Sequence, residues 1–231
     1  MRFTDNLISG TLIKRYKRFF IDVRVDNKII TAHCPNSGSM LGLLNKNNKV
    51  WISKSNNPKR KLKFTLELIK VTSSLVGVNT IYANKIVLEA LKKQTIKEFS
   101  NLINIKTEAV YKKSTRFDFL LEKKDRKIFL EVKNVTLSTK KNIAEFPDAV
   151  TSRGKKHLIK LIEAKQEKYD AYILYLIQRE DCSNFQIADK IDVEYKKAFI
   201  EARKMGVKIL CYNCKLSPQE IKVYKPVKII H

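Results

Sequence analysis

The chain has 231 residues, with 47 Lys and Arg against 23 Asp and Glu, a formal net charge of +24. Hydrophobic residues make up 44%, enough to bury a core, so a disordered basic tail is excluded and one or two domains are expected. No apolar run reaches about 18 residues, so no membrane span is expected, and MRFTDNLISGTLIKRYKRFF lacks an apolar segment with a small-residue cleavage site, so no signal peptide is expected; four cysteines read as reduced thiols suit the cytoplasm.

The first 80 residues read as β-rich. TLIKRYKRFFIDVRVDNKIITAHC holds two alternating runs split by VDNK, a hairpin signature. VWISKS and KLKFTLELIKVTSSLVGV supply further short strands, and short strands with polar turns predict a small barrel. CPNSGSM is a loop whose glycine spacing fits neither a P-loop nor a dinucleotide fingerprint.

Near Asn79 the pattern changes. Asn84 is expected to cap a helix from Lys85 to about Ser100. Three strand-like runs follow: NIKTEAVY, TRFDFLLE and KIFLEVKNV. The polar stretch TLSTKKN then leads into AEFPDAVTSRG. A second helix is predicted from about Lys155 to Lys168, with Leu158, Leu161 and Ile162 at helical spacing. AYILYLIQ and VKILCYN read as strands buried on both faces, with a third helix over about Val193 to Met205 between them, ended by Gly206. KVYKPVKII reads as an edge strand, where Pro226 is tolerated. The order α-β-β-β-α-β-α-β implies a mixed sheet with helices on its faces.

Cys211 and Cys214 form a CxxC without a second pair, away from a helix start. With Cys34 and Cys182 they read as structural thiols rather than a metal or redox site.

A charge of +24 calls for polyanionic partners, nucleic acid before an anionic membrane. The plain alternative is a lysine-rich composition that serves solubility. Residues 1 to 75 hold 15 basic against 4 acidic residues, so the first third is the denser in positive charge. Arg15, Arg18, Lys59 and Arg60 are its candidate phosphate contacts. Tyr16, Phe19, Phe20 and Trp51 are candidates for stacking on unpaired bases, although barrel aromatics are more often core.

The chemistry concentrates in FDFLLEKKDRKIFLEVK. Centring the hairpin on the KKDR turn sets Glu122 opposite Lys127 and Asp118 opposite Glu131. Two carboxylates facing each other are destabilising unless something holds them, and a divalent cation would do so. Lys133 lies two residues beyond Glu131, on the same strand face. Asp118, Glu131 and Lys133 are therefore candidate catalytic residues for phosphodiester cleavage. Asp118 and Glu131 are the candidate ligands of Mg²⁺ or Mn²⁺. A one-residue slip would separate them, and a glutamate–lysine ladder on a sheet edge is the competing explanation. Glu89 is a candidate third carboxylate from the first helix. Arg153, Lys155, Lys156 and His157 open the second helix, where phosphate binds readily.

HCPNSGSM, GVNT, RFDFLL, EVKNVTL and FPDAVTSRGKKHL together resemble the sugar fermentation stimulation protein A family, from Met1 to about Asn213. The second half is similar to the restriction-endonuclease-like superfamily, whose PD-(D/E)xK signature maps onto Asp118, Glu131 and Lys133. The resemblance implies an α+β or α/β protein: an OB-like β-barrel over residues 1–80 and a nuclease-like mixed α/β domain over 81–231. It also implies a bacterial DNA-binding protein with little sequence preference, linked to sugar (maltose) utilisation. Ser39 stands where the family pattern has Arg, and Lys160 where an acidic residue is usual. The expected partner is nucleic acid, DNA first, with a homodimer considered and no membrane. Two functions of different class follow: a DNA-binding module without enzymology, and a metal-dependent nuclease on DNA or RNA. An operator-reading transcription factor is a weaker third, because no helix-turn-helix is evident.

Overall fold

The computed structural model describes residues 1–112 and 115–230. The first unit is built from β1 (Ile8–Tyr16), β2 (Phe20–Val25), β3 (Lys28–His33), β4 (Lys49–Lys54), β5 (Phe64–Val71) and β6 (Ser74–Gly77). Their order is β3-β2-β1-β4-β5-β6, and a β3–β5 pairing at His33 and Thr65 closes a five-stranded OB barrel. Period-2 alternation drives this. In β2, Ile21 and Val23 are buried while Asp22 and Arg24 face outward. Asp26 and Asn27 both take positive φ, 45° and 64°, which is the two-residue loop that follows the strand twist. Leu12, Ile21, Val23, Val50, Ile52 and Leu66 fill the interior, and Met40 and Leu43 from the following loop complete it.

The second unit comprises α1 (Ala83–Lys92), β7 (Asn104–Tyr111), β8 (Thr115–Glu122), β9 (Lys127–Val135), β10 (Leu137–Lys140), β11 (Ile143–Phe146), α2 (Ser152–Gln166), β12 (Asp170–Ile177), β13 (Asn184–Ile187), α3 (Val193–Lys204), β14 (Lys208–Leu216), β15 (Ile221–Pro226) and β16 (Lys228–Ile229). The main sheet runs β15-β14-β12-β9-β8-β7. β12 is parallel to both β9 and β14, with α2 and α3 as crossovers, and the remaining neighbours are antiparallel. Ile86, Val87, Ala90 and Leu91 of α1 pack on one face, with Phe119, Leu121, Leu130 and Leu174. Leu158, Leu161 and Ala164 of α2 and Tyr195 and Phe199 of α3 pack on the other, with Phe117, Phe129 and Ile173. Among the described residues no helix is long and apolar enough to cross a membrane.

α1 departs from the expected span. Asn79 caps a preceding 3-10 turn at Thr80–Tyr82, and α1 itself has no side-chain cap. It stops at Lys92 because Gln94 turns left-handed, φ 53°. The Gln94 amide then bonds Leu91 O and the Thr95 amide bonds Ala90 O, at 3.1 and 2.9 Å. This is a Schellman closure with Gln where Gly is usual, so the sequence carries no stop signal. α2 begins earlier than expected, at Ser152, because Thr151 Oγ1 accepts the Gly154 amide at 3.0 Å.

A second sheet, β10-β11-β13-β16, was not expected from the polar stretches that form it; its strands have only two to four residues. Cys211 and Cys214 lie three apart on β14, so one faces each core. All four cysteines are buried free thiols.

The two units meet along a tight seam. Residues 1–3 leave the barrel and join the edge of the main sheet, with the Phe3 amide on Gln219 O at 3.0 Å and the Ile221 amide on Met1 O at 2.9 Å. The Gly77 amide bonds Gln178 O at 2.9 Å, and Val76 bridges to Arg179. A Cβ on Gly77 would strike the Gln178 side chain and lie 3.2 Å from Leu216 Cδ2. Gly77→Val should therefore lower stability by about 1–3 kcal/mol through overpacking, read as a lower urea midpoint with an unchanged slope.

Candidate active site

The β8–β9 hairpin takes the register set by its turn: Glu122 pairs with Lys127, Leu121 with Ile128, Leu120 with Phe129 and Phe119 with Leu130. The next pair in this register is Asp118 with Glu131, and there the backbone ladder ends. The Asp118 side chain takes over, accepting the Val132 amide on Oδ2 at 2.7 Å. Asn84 of α1 donates its amide to Asp118 Oδ1, also at 2.7 Å. On the β7 side the Thr107–Phe119 and Ala109–Phe117 pairs flank Glu108 at φ 51°, so the sheet is distorted on both sides of Asp118.

Glu131 is 3% exposed. Its Oε1 accepts from Lys133 Nζ at 2.7 Å and pairs with His157 Nδ1. Its Oε2 is buried with no hydrogen-bond partner among the described residues. Leaving such an atom unpaired costs about 1–3 kcal/mol, more for a charged group. His157 comes from the second turn of α2, positioned by Leu158 and Leu161 beneath it and by Gly154, whose missing side chain lets Thr151 and Tyr195 close in.

The two carboxyls are driven apart electrostatically. Burial, and then the Glu131 charge, push Asp118 from the usual 3.8 up to about 6, against the opposing pull of the Val132 amide and Asn84. Burial pushes Glu131 up as well, but the His157 and Lys133 contacts outweigh it and hold this carboxyl below its usual range. Asp118 is thus the member that takes up a proton first.

A cleft of about 540 Å³ opens at Asp118. Arg153, Lys156 and His157 of α2 line it, together with Glu108, Thr115 and Arg116 from the β7–β8 hairpin. Arg153 and Lys156 are three apart, hence on one helix face. Lys155 points elsewhere and pairs with Glu194 of α3 at 2.8 Å.

Glu89 does not join the carboxylates. It pairs with the Met1 ammonium and with Lys93, the latter at 2.5 Å, and Asn84 is the α1 side chain that reaches Asp118. The N-terminal segment docked on β15 is the reason, since it brings a cation to that end of the helix. In the barrel, the Arg15 guanidinium is spent on carbonyls: Asn36 O at 2.7 Å, Gly38 O at 3.0 Å, Ser39 O at 3.3 Å and Arg18 O at 2.7 Å. It holds the CPNSGSM loop rather than offering a free fork to phosphate. Arg60 bonds Thr65 Oγ1 at 3.0 Å, while Arg18 and Lys59 are exposed. Sequence reasoning read Asn84 as a helix cap and overlooked Arg116 and Glu108. Nothing short of the fold links residues on three separate elements.

Two carboxylates side by side, one with an orphaned oxygen and the other pushed toward protonation, fit a divalent cation. Among the described residues no set of three or more His, Cys, Asp or Glu side chains gathers as a metal cage.

An OB barrel docked on a mixed α/β domain, whose central hairpin carries Asp, Glu and Lys beside a basic cleft, defines a two-domain protein of OB plus mixed α/β type. The chain belongs to the sugar fermentation stimulation protein family: the family model of its RE domain matches residues 81–220 and that of its N-terminal OB domain residues 13–78. It is 55% identical to the sugar fermentation stimulation protein homolog of Pelagibacter ubique (strain HTCC1062), over the full length of both chains. It is 45% identical to the homolog of Paramagnetospirillum magneticum, covering 98% of this chain and 97% of that one. A solved structure of Pyrococcus furiosus SfsA in complex with Ca²⁺ shares the fold, with a TM-score of 0.89 at 22% identity, covering 100% of this chain and 98% of that one.

Asp118 carries a testable stability signature. A carboxyl whose folded value is raised destabilises the fold as pH climbs from 3.8 through about 6. In EDTA, Asp118→Asn should raise unfolding stability at pH 8 by up to about 3 kcal/mol. The gain should disappear below about pH 4, as read by denaturant midpoints across pH.

Proposed function

We propose that the protein is a nucleic-acid-binding, metal-dependent phosphodiesterase with little sequence preference, acting on DNA before RNA. The observation that carries this reading is the orphaned Oε2 of the buried Glu131, whose register neighbour Asp118 lines a cleft together with Arg153 and Lys156. Asp118 and Glu131 would hold Mg²⁺ or Mn²⁺, and the Ca²⁺ complex of the Pyrococcus protein supports a divalent ion in this fold. When bound, such an ion neutralises charge on the phosphate and activates water.

The remaining work falls to this chain's own side chains. Arg153 and Lys156 bind phosphate oxygens, which carry no base identity, so positioning without sequence reading follows. Lys133 Nζ donates to Glu131 Oε1 at 2.7 Å and lies 3.4 Å from His157 Nδ1, which leaves a donor to orient water or meet developing negative charge. His157 fixes the Glu131 carboxylate through Oε1, so that Oε2 is the oxygen left for the ion. Asn84 does the same for Asp118 through Oδ1. A link to sugar utilisation, carried in the family name, would then describe a consequence of acting on nucleic acid rather than operator recognition.

A second reading, a DNA-binding module without turnover, draws on the net charge of +24 and the barrel. Mn²⁺ titration calorimetry on wild type and Glu131→Gln, with cleavage assays on the same samples, separates the two. The expected result is stoichiometric Mn²⁺ binding lost in the variant, with cleavage abolished by Glu131→Gln and Asp118→Ala while DNA binding persists. Lys133→Met should keep Mn²⁺ binding and lower the cleavage rate by roughly 10²–10³-fold. Cleavage unchanged in the Asp118 and Glu131 variants would be contamination. Absence of Mn²⁺ binding by the wild type would leave the binding module.

A further inference from the structure

The β1–β2 connection is a rigid basic and aromatic tip. Lys17 and Arg18 both take positive φ, 45° and 62°, and the Arg15 Nε bond to Arg18 O at 2.7 Å pins them from below. Lys17 and Arg18 are exposed, and Phe19 is 42% exposed. At the base of the tip the rings of Tyr16 and Phe20 stack, 5.6 Å apart and 19° from parallel, with Lys14 Nζ 5.4 Å from the Tyr16 ring. Tyr16 OH is anchored on Asp22 at 3.2 Å, which sets the ring plane. Trp51, by contrast, packs against the core shared with the main sheet.

A cleft of about 490 Å³ adjoins this tip. Tyr16, Lys17, Arg18, Gly38, Ser39 and Ala149 line it, and among the described residues no acidic side chain does. Ala149 belongs to the second unit, and Arg153, four residues on, lines the Asp118 cleft. Four residues span at most about 14 Å, about four stacked nucleotides at ~3.4 Å each. The tip and the candidate active site are therefore neighbours across residues 149–153, and the Asp148 side chain lies close against Gly38 of the barrel loop.

Cations alone suit duplex and single strands alike. Phe19, the exposed aromatic of the tip, discriminates: its ring lies 6.4 Å from that of His33, 29° from parallel, and an unpaired base can extend that stack where a paired one cannot. We infer that the β1–β2 tip is a stacking subsite for unpaired bases. It would select a single-stranded stretch of nucleic acid and lead that strand over residues 149–153 to the Asp118 cleft. This rests on the proposed nucleic-acid reading but not on turnover.

The test is fluorescence anisotropy in EDTA with the full chain and three labelled oligonucleotides of one length: a single strand, a blunt duplex of the same sequence, and an abasic single strand. The wild type should bind the single strand at least tenfold more tightly than the duplex. Phe19→Ala, an exposed position that leaves the barrel core intact, should weaken single-strand binding roughly 5- to 100-fold while moving duplex and abasic binding less than about twofold. Lys17→Ala and Arg18→Ala should weaken all three ligands and flatten the salt dependence. Equal loss on single strand and duplex in Phe19→Ala, no loss on either, or wild-type affinity for the abasic strand equal to that for the single strand would overturn the inference. Cleavage without strand preference would overturn it alone and leave the phosphodiesterase standing. Strand-selective binding without cleavage would do the reverse, and no binding to any of the three would overturn both.

Discussion

A carboxylate buried in the middle of a sheet is costly unless its charge is met, and the second unit is arranged around meeting the charge of Glu131. Lys133, two residues along the same strand, supplies one partner. The other, His157, must come from a helix packed over that face, so α2 has to dock within reach of a single oxygen. The Thr151 cap and the bare backbone of Gly154 are the local features that set its start and its approach. Once His157 is in place, Arg153 and Lys156 open onto the cleft at Asp118 and Lys155 turns away toward α3. The basic wall of the site is thus a by-product of how the helix is anchored. Among the described residues, neither partner reaches the second oxygen of Glu131.

The barrel is coupled to this arrangement by polar contacts rather than by apolar burial alone. Asn134, next to Lys133, accepts from Gln178, and Gln178 O takes the Gly77 amide from the last barrel strand. Asn79 donates to Glu67 at 2.8 Å while its own oxygen caps the turn that leads into α1. Burial pushes Glu67 up to about 7, against the hydrogen bonds from Ser53 and Asn79. The same stretch of chain therefore ends the barrel, opens α1 and aims Asn84 at Asp118. Arg15 plays a comparable part on the other side of the seam. It spends its charge on carbonyls of the Asn36–Ser39 loop so that Gly38 can sit against Asp148.

Features with a period or a punctuating residue were legible in the sequence. The VDNK turn, the alternating barrel strands, the doubly buried β12 and the end of α3 at Gly206 all carry such marks. α1 was overextended because its stop is a left-handed Gln94, a residue that signals nothing by itself. The four-strand second sheet was invisible because its strands are too short for a period to show. The CxxC was legible as two structural thiols, because a spacing of three on a strand sends them to opposite cores, where both are buried and free.

For the site itself, the sequence determined the part that is local. The polar turn between β8 and β9 and the period of two set the hairpin register, and with it the nearness of Asp118, Glu131 and Lys133. Tertiary structure alone decided what surrounds them. His157 reaches Glu131 across 26 residues and Asn84 reaches Asp118 across 34, while Glu89 is drawn to the Met1 ammonium instead. Helical periodicity says which face of a helix turns inward. Which residue on that face meets which strand position depends on where the helix starts, how closely it approaches and what else is docked beside it. Those are settled only when the whole core packs.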